Sequence, residues 1–286
     1  MKNSLLFQKP LGQLRRELPG AFLGCAQPEA EARHLLCHYL GLSQSWMITH
    51  ADATLTADEQ GRGLFALEAR LKGEPWAYIE GFAVFDNRKF AVGPGVLVPR
   101  EDSLPLLDAM MPLLPQGARF VDWCAGSGAL GLTLAARRED VRGVLVEKSP
   151  AALRYAWLNR RFLGLQDRVG LVHGCDEEAL PYWQGQVFLA NPPYITDAEM
   201  QTLSAEVARE PKMALAGGAD GLALYPQLIR YCGAHLEVGG IAGFEFGSAA
   251  QGDQIDRWLE AEGFERLVWC EDLGGNRRSG IWRRLI

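Results

Sequence analysis

The sequence predicts an α/β fold in which a mainly parallel sheet with helical crossovers follows a small helical domain and a β-hairpin linker. Three observations carry this expectation. Residues 1–80 show helical periodicity and almost no strand signal, residues 81–100 switch to period-two alternation, and strand-like and helix-like stretches alternate from 101 to 286.

In the first segment, Ala32, Leu35, Leu36, Tyr39 and Leu40 recur at three- and four-residue spacing after Pro28, which places them on one helical face that ends at Gly41. Thr56-Ala57-Asp58-Glu59 has the spacing of a capping box, and Leu64, Leu67 and Leu71 follow as a stripe before Gly73. In the linker, Phe82, Val84 and Phe85 precede the polar run Asp86-Asn87-Arg88-Lys89, with Phe90 and Val92 beyond it. Gly93-Pro94-Gly95 breaks the chain, and Val96-Leu97-Val98 runs into Pro99. The third segment offers seven candidate strands: Arg119–Trp123, Gly143–Glu147, Gly170–His173, Val187–Ala190, Ile241–Phe246, Leu267–Cys270 and Ile281–Leu285. Helical crossovers between most of them imply parallel pairing with ligands at the carboxyl ends, while the short connection 271–280 implies that the last strands are antiparallel.

Composition excludes several classes. With 286 residues, 48% hydrophobic and 22% charged, the chain can build a core without disulfides. The six cysteines are scattered with no Cys-x-x-Cys pair, so neither a zinc site nor a disulfide framework is expected. No apolar run approaches the roughly 18–20 residues of a membrane span, and the start lacks a secretory signal, so the expected compartment is the cytoplasm. Net charge is −6 with basic residues dispersed, which argues against a strong nucleic-acid footprint.

Two loops carry chemistry. Asp122-Trp123-Cys124-Ala125-Gly126-Ser127-Gly128 lies between a candidate strand and a helix expected near Ala129. Its glycines allow a tight turn and close backbone approach to a ligand, and Asp122 can accept from a ligand amino group. Gly126-x-Gly128-x-x-Gly131 also satisfies a dinucleotide fingerprint, so this loop alone leaves a nicotinamide or flavin cofactor and S-adenosylmethionine both open. Glu147, at the next strand end, suits two ribose hydroxyls in either case.

Asn191-Pro192-Pro193-Tyr194 follows the apolar strand Val187–Ala190 and discriminates between them. Its prolines make the loop rigid. An amide nitrogen is a poor nucleophile because its lone pair is delocalised, so a site that methylates it must hold the NH₂ group toward the methyl donor. The Asn191 side-chain oxygen and the Pro192 carbonyl can accept the two N–H bonds while Tyr194 packs on the planar group. The loop therefore points to methyl transfer onto an amide or amine nitrogen.

The chain resembles the HemK/PrmC family of protein-(glutamine-N5) methyltransferases from about Glu29 to the C-terminus. The resemblance rests on Gly73-Glu74-Pro75-Trp76-Ala77-Tyr78-Ile79-Glu80-Gly81, Val98-Pro99-Arg100-Glu101-Asp102, Asn191-Pro192-Pro193-Tyr194-Ile195 and the run from Glu210-Pro211-Lys212 to Asp220-Gly221-Leu222. It implies a helical substrate-recognition domain (1–80), a β-hairpin linker (81–100) and a seven-stranded, Rossmann-like class I methyltransferase domain (101–286). The cofactor implied is S-adenosylmethionine, held by Asp122, Cys124, Ala125, Gly126, Ser127, Gly128, Glu147, Cys175, Asp176 and Asn191. The implied catalytic residues are Asn191, Pro192 and Tyr194, and Arg100 and Pro193 join them in binding substrate. The implied partner is a peptide-chain release factor, methylated on the glutamine of its Gly-Gly-Gln loop. Cys124 stands where the family has the first glycine of Gly-x-Gly-x-Gly, and Arg100-Glu101-Asp102-Ser103 stands where it more often has Arg-Pro-Asp-Thr.

Adenine-N6 methylation of nucleic acid uses the same loop chemistry but requires base flipping and a basic track. Methylation of a ribosomal-protein glutamine is a nearer alternative, and a catalytically silent binding module is a third. His34 and His38 share a helical face but lack a third ligand motif, so they are expected to be packed or solvated, and His173 to be structural. Trp76, Tyr78, Phe82 and Phe85 are expected in core rather than at a docking surface, and Arg277 and Arg278 in a solvated loop.

Overall fold

The computed structural model describes residues 2–272 and 274–286 and divides into two compact units, Met1–Glu80 and Gly81–Ile286. The first unit contains α1 (Lys2–Leu6), α2 (Leu11–Ala21), α3 (Pro28–Arg33), a π-helical turn (His34–Tyr39), α4 (Gln44–Thr49), α5 (Ala57–Leu71) and α6 (Trp76–Glu80). The stripe after Pro28 thus continues from α-helix into π-helix, and Gly41 ends it at φ 75°. Thr56 and Glu59 cap α5 reciprocally. Phe7, Leu11, Leu14, Leu18, Phe22, Leu35 and Leu67 form the core of this unit.

The second unit opens with a hairpin, β1 (Phe82–Phe85) and β2 (Arg88–Ala91). Asp86 and Asn87 both have positive φ, 52° and 57°, so a two-residue turn suffices and Arg88 and Lys89 belong to β2 rather than to the connection expected from their polarity. Then follow α7 (Leu104–Met110), β3 (Arg119–Trp123), α8 (Ala129–Arg137), β4 (Arg142–Glu147), α9 (Pro150–Phe162), β5 (Val169–His173), β6 (Gly185–Ala190), α10 (Lys212–Leu215), α11 (Tyr225–His235), β7 (Leu236–Glu245), α12 (Ala249–Ala261), β8 (Phe264–Glu271) and β9 (Arg277–Arg284).

The seven strands β3 to β9 form one sheet in the order β5-β4-β3-β6-β7-β9-β8. All pairs are parallel except those made by β9, which runs antiparallel to both β7 and β8. Alternate residues feed two cores. Phe120, Leu145, Val187, Leu189 and Ile241 pack with α7 and α8, whereas Val121, Val146, Phe188, Ala190 and Phe244 pack with α11 and α12. Burial on both faces explains why Val187 to Ala190 reads as a continuous apolar run.

Arg277 and Arg278 lie on β9, which corrects the loop expectation. Arg277 stacks on Trp269 with 4.8 Å to the ring centroid and pairs with Asp253 at 2.9 Å, while Arg278 pairs with Asp272 at 2.9 Å and donates to the Gly247 carbonyl. Neighbouring aromatic and acidic groups make a polar strand end affordable that no hydrophobic pattern announces.

Asn159 ties the hairpin to the sheet edge. Its side chain is fully buried, accepts from Ala91 N at 2.6 Å, and donates to Ala91 O at 3.1 Å and Ser127 O at 2.9 Å. Truncation leaves the half-buried Ala91 N–H and C=O and the buried Ser127 C=O without this partner. Asn159→Ala is expected to lower unfolding free energy by roughly 2–4 kcal/mol in urea titration, and a loss below about 0.5 kcal/mol would contradict this role.

Candidate active site

The site is one row of the sheet. The ladders place Val146, Trp123, Ala190 and Phe244 side by side. The next residue on each strand, respectively Glu147, Cys124, Asn191 and Glu245, therefore emerges at the same carboxyl edge. Strand order reverses between β3 and β6, which opens a crevice for a ligand there. A cavity of about 420 Å³ occupies it, within the roughly 300–1,000 Å³ of small-molecule sites.

Of the residues singled out from the sequence, Arg100, Asp122, Cys124, Ala125, Gly126, Ser127, Glu147, Cys175, Asn191, Pro193 and Tyr194 line this cavity. Gly128, Asp176 and Pro192 do not. Gly128 instead shapes the turn: its φ is 81°, and a Cβ there would meet Leu132 and Leu145 at 2.8 Å. Pro192 is buried, and Asp176 precedes a short turn at Glu177–Ala179.

Asp122 is almost fully buried. Its Oδ2 accepts from Gly131 N at 2.8 Å, whereas Oδ1 has no partner among the described residues. Burial, and then the charge of Glu147, push its carboxyl up to about 7, with the Gly131 amide opposing. A cationic donor would relieve that orphaned oxygen. Glu147 accepts from Gly126 N at 2.8 Å through Oε2 and from Ser149 N at 2.7 Å through Oε1, so each oxygen already braces the loop and keeps a lone pair for a hydroxyl. These acceptors fit a ligand with an ammonium group and a diol.

Cys124 has φ 60°, the left-handed conformation that glycine adopts without penalty. Burial pushes its thiol up, so it remains a neutral side chain on the cavity wall rather than a nucleophile.

The Asn191–Tyr194 loop is braced from behind. Gln251 Nε2 donates to Tyr194 O at 3.0 Å and to Asp220 O at 2.9 Å. Gly221, at φ 76°, allows the 217–221 segment to approach: a Cβ there would meet Tyr194 O at 2.1 Å. Glu210 accepts from Val98 N at 2.9 Å and Arg100 Nη2 at 2.6 Å, joining two cavity-lining loops. Burial pushes the Glu210 carboxyl up, against the charge of Arg100.

Ser103, Asn159, Glu210, Glu245 and Gln251 had no site role assigned from the sequence, although Ser103 and Glu210 stand in segments compared with the family pattern. The Ser248-x-x-Gln251 capping box and an acid ending a strand at Glu245 were the available signals. The other candidates take up structural places. His34 stacks on His38 at 4.9 Å and bonds Glu80 at 2.7 Å, and His173 bonds Lys148 O at 2.9 Å. Trp76 bonds Glu31 at 2.7 Å and Phe85 is buried against Phe90, while Phe82 carries Lys89 over its ring. Among the described residues, no cluster of three or more His, Cys, Asp or Glu could hold a metal, and no helix is long and apolar enough to cross a membrane.

Replacing Cys124 separates backbone strain from side-chain packing, since only glycine relieves the positive φ. Cys124→Gly is expected to be more stable than Cys124→Ala by about 1 kcal/mol in urea titration. Equal stabilities would show that the loop carries no such strain.

Comparison with known proteins agrees with this geometry. Residues 13–81 match the family model "PrmC N-terminal domain", and residues 105–217 match "Conserved hypothetical protein 95". The chain is 33% identical over 264 residues to a release factor glutamine methyltransferase of Moorella thermoacetica, covering 92% of each chain. It is 36% identical to another of Nitratidesulfovibrio vulgaris, covering 90% of this chain and 88% of that one. A crystal structure of a methyltransferase from Pyrococcus furiosus shares the fold, with TM-score 0.52 and 16% identity, covering 81% of this chain and all of that one. Identity of about a third along nearly the whole length, on a class I methyltransferase sheet, places the chain in the release factor glutamine methyltransferase family.

Proposed function

We propose that this chain transfers a methyl group from S-adenosylmethionine to the side-chain amide nitrogen of a glutamine, that of the Gly-Gly-Gln motif in a peptide-chain release factor. One observation carries the reading beyond family membership. A single cavity is lined both by an acidic wall suited to the cofactor, Asp122 and Glu147, and by Asn191, Pro193 and Tyr194 of the amide-recognising loop.

When bound, S-adenosylmethionine supplies an electrophilic methyl on a sulfonium. The orphaned Asp122 Oδ1 suits its ammonium group and the free lone pairs of Glu147 suit its ribose hydroxyls. On the acceptor side, Asn191 Oδ1 takes one N–H bond of the glutamine amide, and the second goes to the Pro192 carbonyl once the loop turns that buried group toward the cavity. They orient its nitrogen and stabilise the positive charge that develops there, until the methylated nitrogen gives up one proton. Tyr194 covers the planar amide, and burial keeps its phenol protonated, so it adds no negative charge beyond the three carboxylates on the cavity wall. The N-terminal unit, which matches the PrmC N-terminal domain, is assigned to recognition of the protein substrate.

The test is methyl-labelled S-adenosylmethionine with a class 1 release factor and its Gly-Gly-Gln glutamine variant. Label is expected on the first only, and Asn191→Ala is expected to lower kcat at least about a hundredfold. Equal labelling of both factors would overturn the glutamine assignment.

A further inference from the structure

Glu245 ends β7 in the same row as Asn191, is buried, and lines the cavity, yet the proposed methyl transfer gives it no task. The hydrogen bonds to its carboxylate come from hydroxyl donors. Ser103 Oγ donates at 2.5 Å to Oε2, the Tyr194 hydroxyl lies 3.4 Å from Oε1, and Asn191 stands beside it on the neighbouring strand end, one residue past the laddered pair Ala190 and Phe244. The nearest cation, Arg100, is bonded to Glu210.

An asparagine amide has two nearly isosteric ends, one that accepts and one that donates, and shape alone does not choose between them. An ionised carboxylate can only accept. An Asn191 amide with its Nδ2 turned toward that carboxylate keeps Oδ1 for a group on the cavity side. We propose that Glu245 is a positioning residue that fixes the orientation of the Asn191 side-chain amide, so that its oxygen rather than its NH₂ group faces the acceptor nitrogen. In the opposite orientation two NH₂ groups would confront each other and the acceptor would lose one of its two hydrogen bonds. The inference rests on the reading of Asn191 as the acceptor-binding residue.

The polar and charged groups facing Glu245 are Arg100 and Ser103 before α7, Asn191 and Tyr194 after β6, and Tyr225 of α11, whose hydroxyl donates to the Glu245 backbone carbonyl at 2.6 Å. Burial pushes the Glu245 carboxyl up to about 7, with the Ser103 hydrogen bond the largest opposing influence. Below that pH the protonated carboxyl becomes a donor itself and no longer selects one end of the amide.

Two measurements decide the matter. In the free protein, the Asn191 Nδ2 proton resonances are expected to shift with a midpoint near pH 7 in the wild type and to stay flat in Glu245→Gln. With release factor, Glu245→Gln is expected to lower kcat on the order of ten- to a hundredfold with unchanged cofactor affinity and little change in Tm. The double variant Asn191→Ala/Glu245→Gln should be no slower than Asn191→Ala alone, because the two act as one unit. Resonances insensitive to Glu245, a wild-type rate in Glu245→Gln, or penalties that multiply in the double variant would each overturn the inference. The NMR titration needs no substrate, so a wild type that shifts as expected but fails to label the release factor would refute the glutamine reading and leave the orientation of Asn191 standing.

Discussion

The structure depends on the register of one parallel ladder. Because Val146, Trp123, Ala190 and Phe244 pair across β4, β3, β6 and β7, their successors Glu147, Cys124, Asn191 and Glu245 arrive together at the carboxyl edge. A slip of one residue in any strand would send its functional side chain to the opposite face and its core residues with it. The two apolar cores that hold this register therefore also hold the chemistry.

That edge is acidic and its carboxylates are buried, which sets a tension. Asp122 and Glu245 are buried deeply enough that both carboxyls are pushed up to about 7. Folding places them where the ionised form is disfavoured, and their contribution to stability is greatest below the ordinary carboxylate range and declines as pH rises toward 7. The same desolvation strengthens every hydrogen bond a ligand would make there. The acidic wall thus costs stability in the free protein, and under the proposed function affinity toward a cationic cofactor offsets it.

Much of this was legible in the sequence because it is local. Strand, glycine turn and helix succeed one another within a few residues, so Asp122, Glu147 and the loop Asn191 to Tyr194 could be placed at strand ends from pattern alone. What stayed hidden depends on long separations. Ser103 and Glu245 lie 142 residues apart, and Asn159 and Ala91 lie 68 apart, with nothing nearby in the chain to mark either pair. The first half of β7 was missed because Gly239 and Gly240 interrupt the alternation, and the start of β9 because its arginines are covered by Trp269, Asp253 and Asp272. Cys124 was visible as a departure from the family pattern, but its left-handed backbone required coordinates.

In the proposed function, one cavity divides into a cofactor wall at Glu147 and an acceptor wall at Asn191. Calorimetric titration with S-adenosylhomocysteine tests it most directly, comparing wild type, Glu147→Ala and Asn191→Ala, each confirmed folded. Glu147→Ala is expected to lose affinity by on the order of tenfold or more, and Asn191→Ala to stay within about threefold of wild type. Comparable losses in both variants would contradict it, because Asn191 would then anchor the cofactor rather than the acceptor.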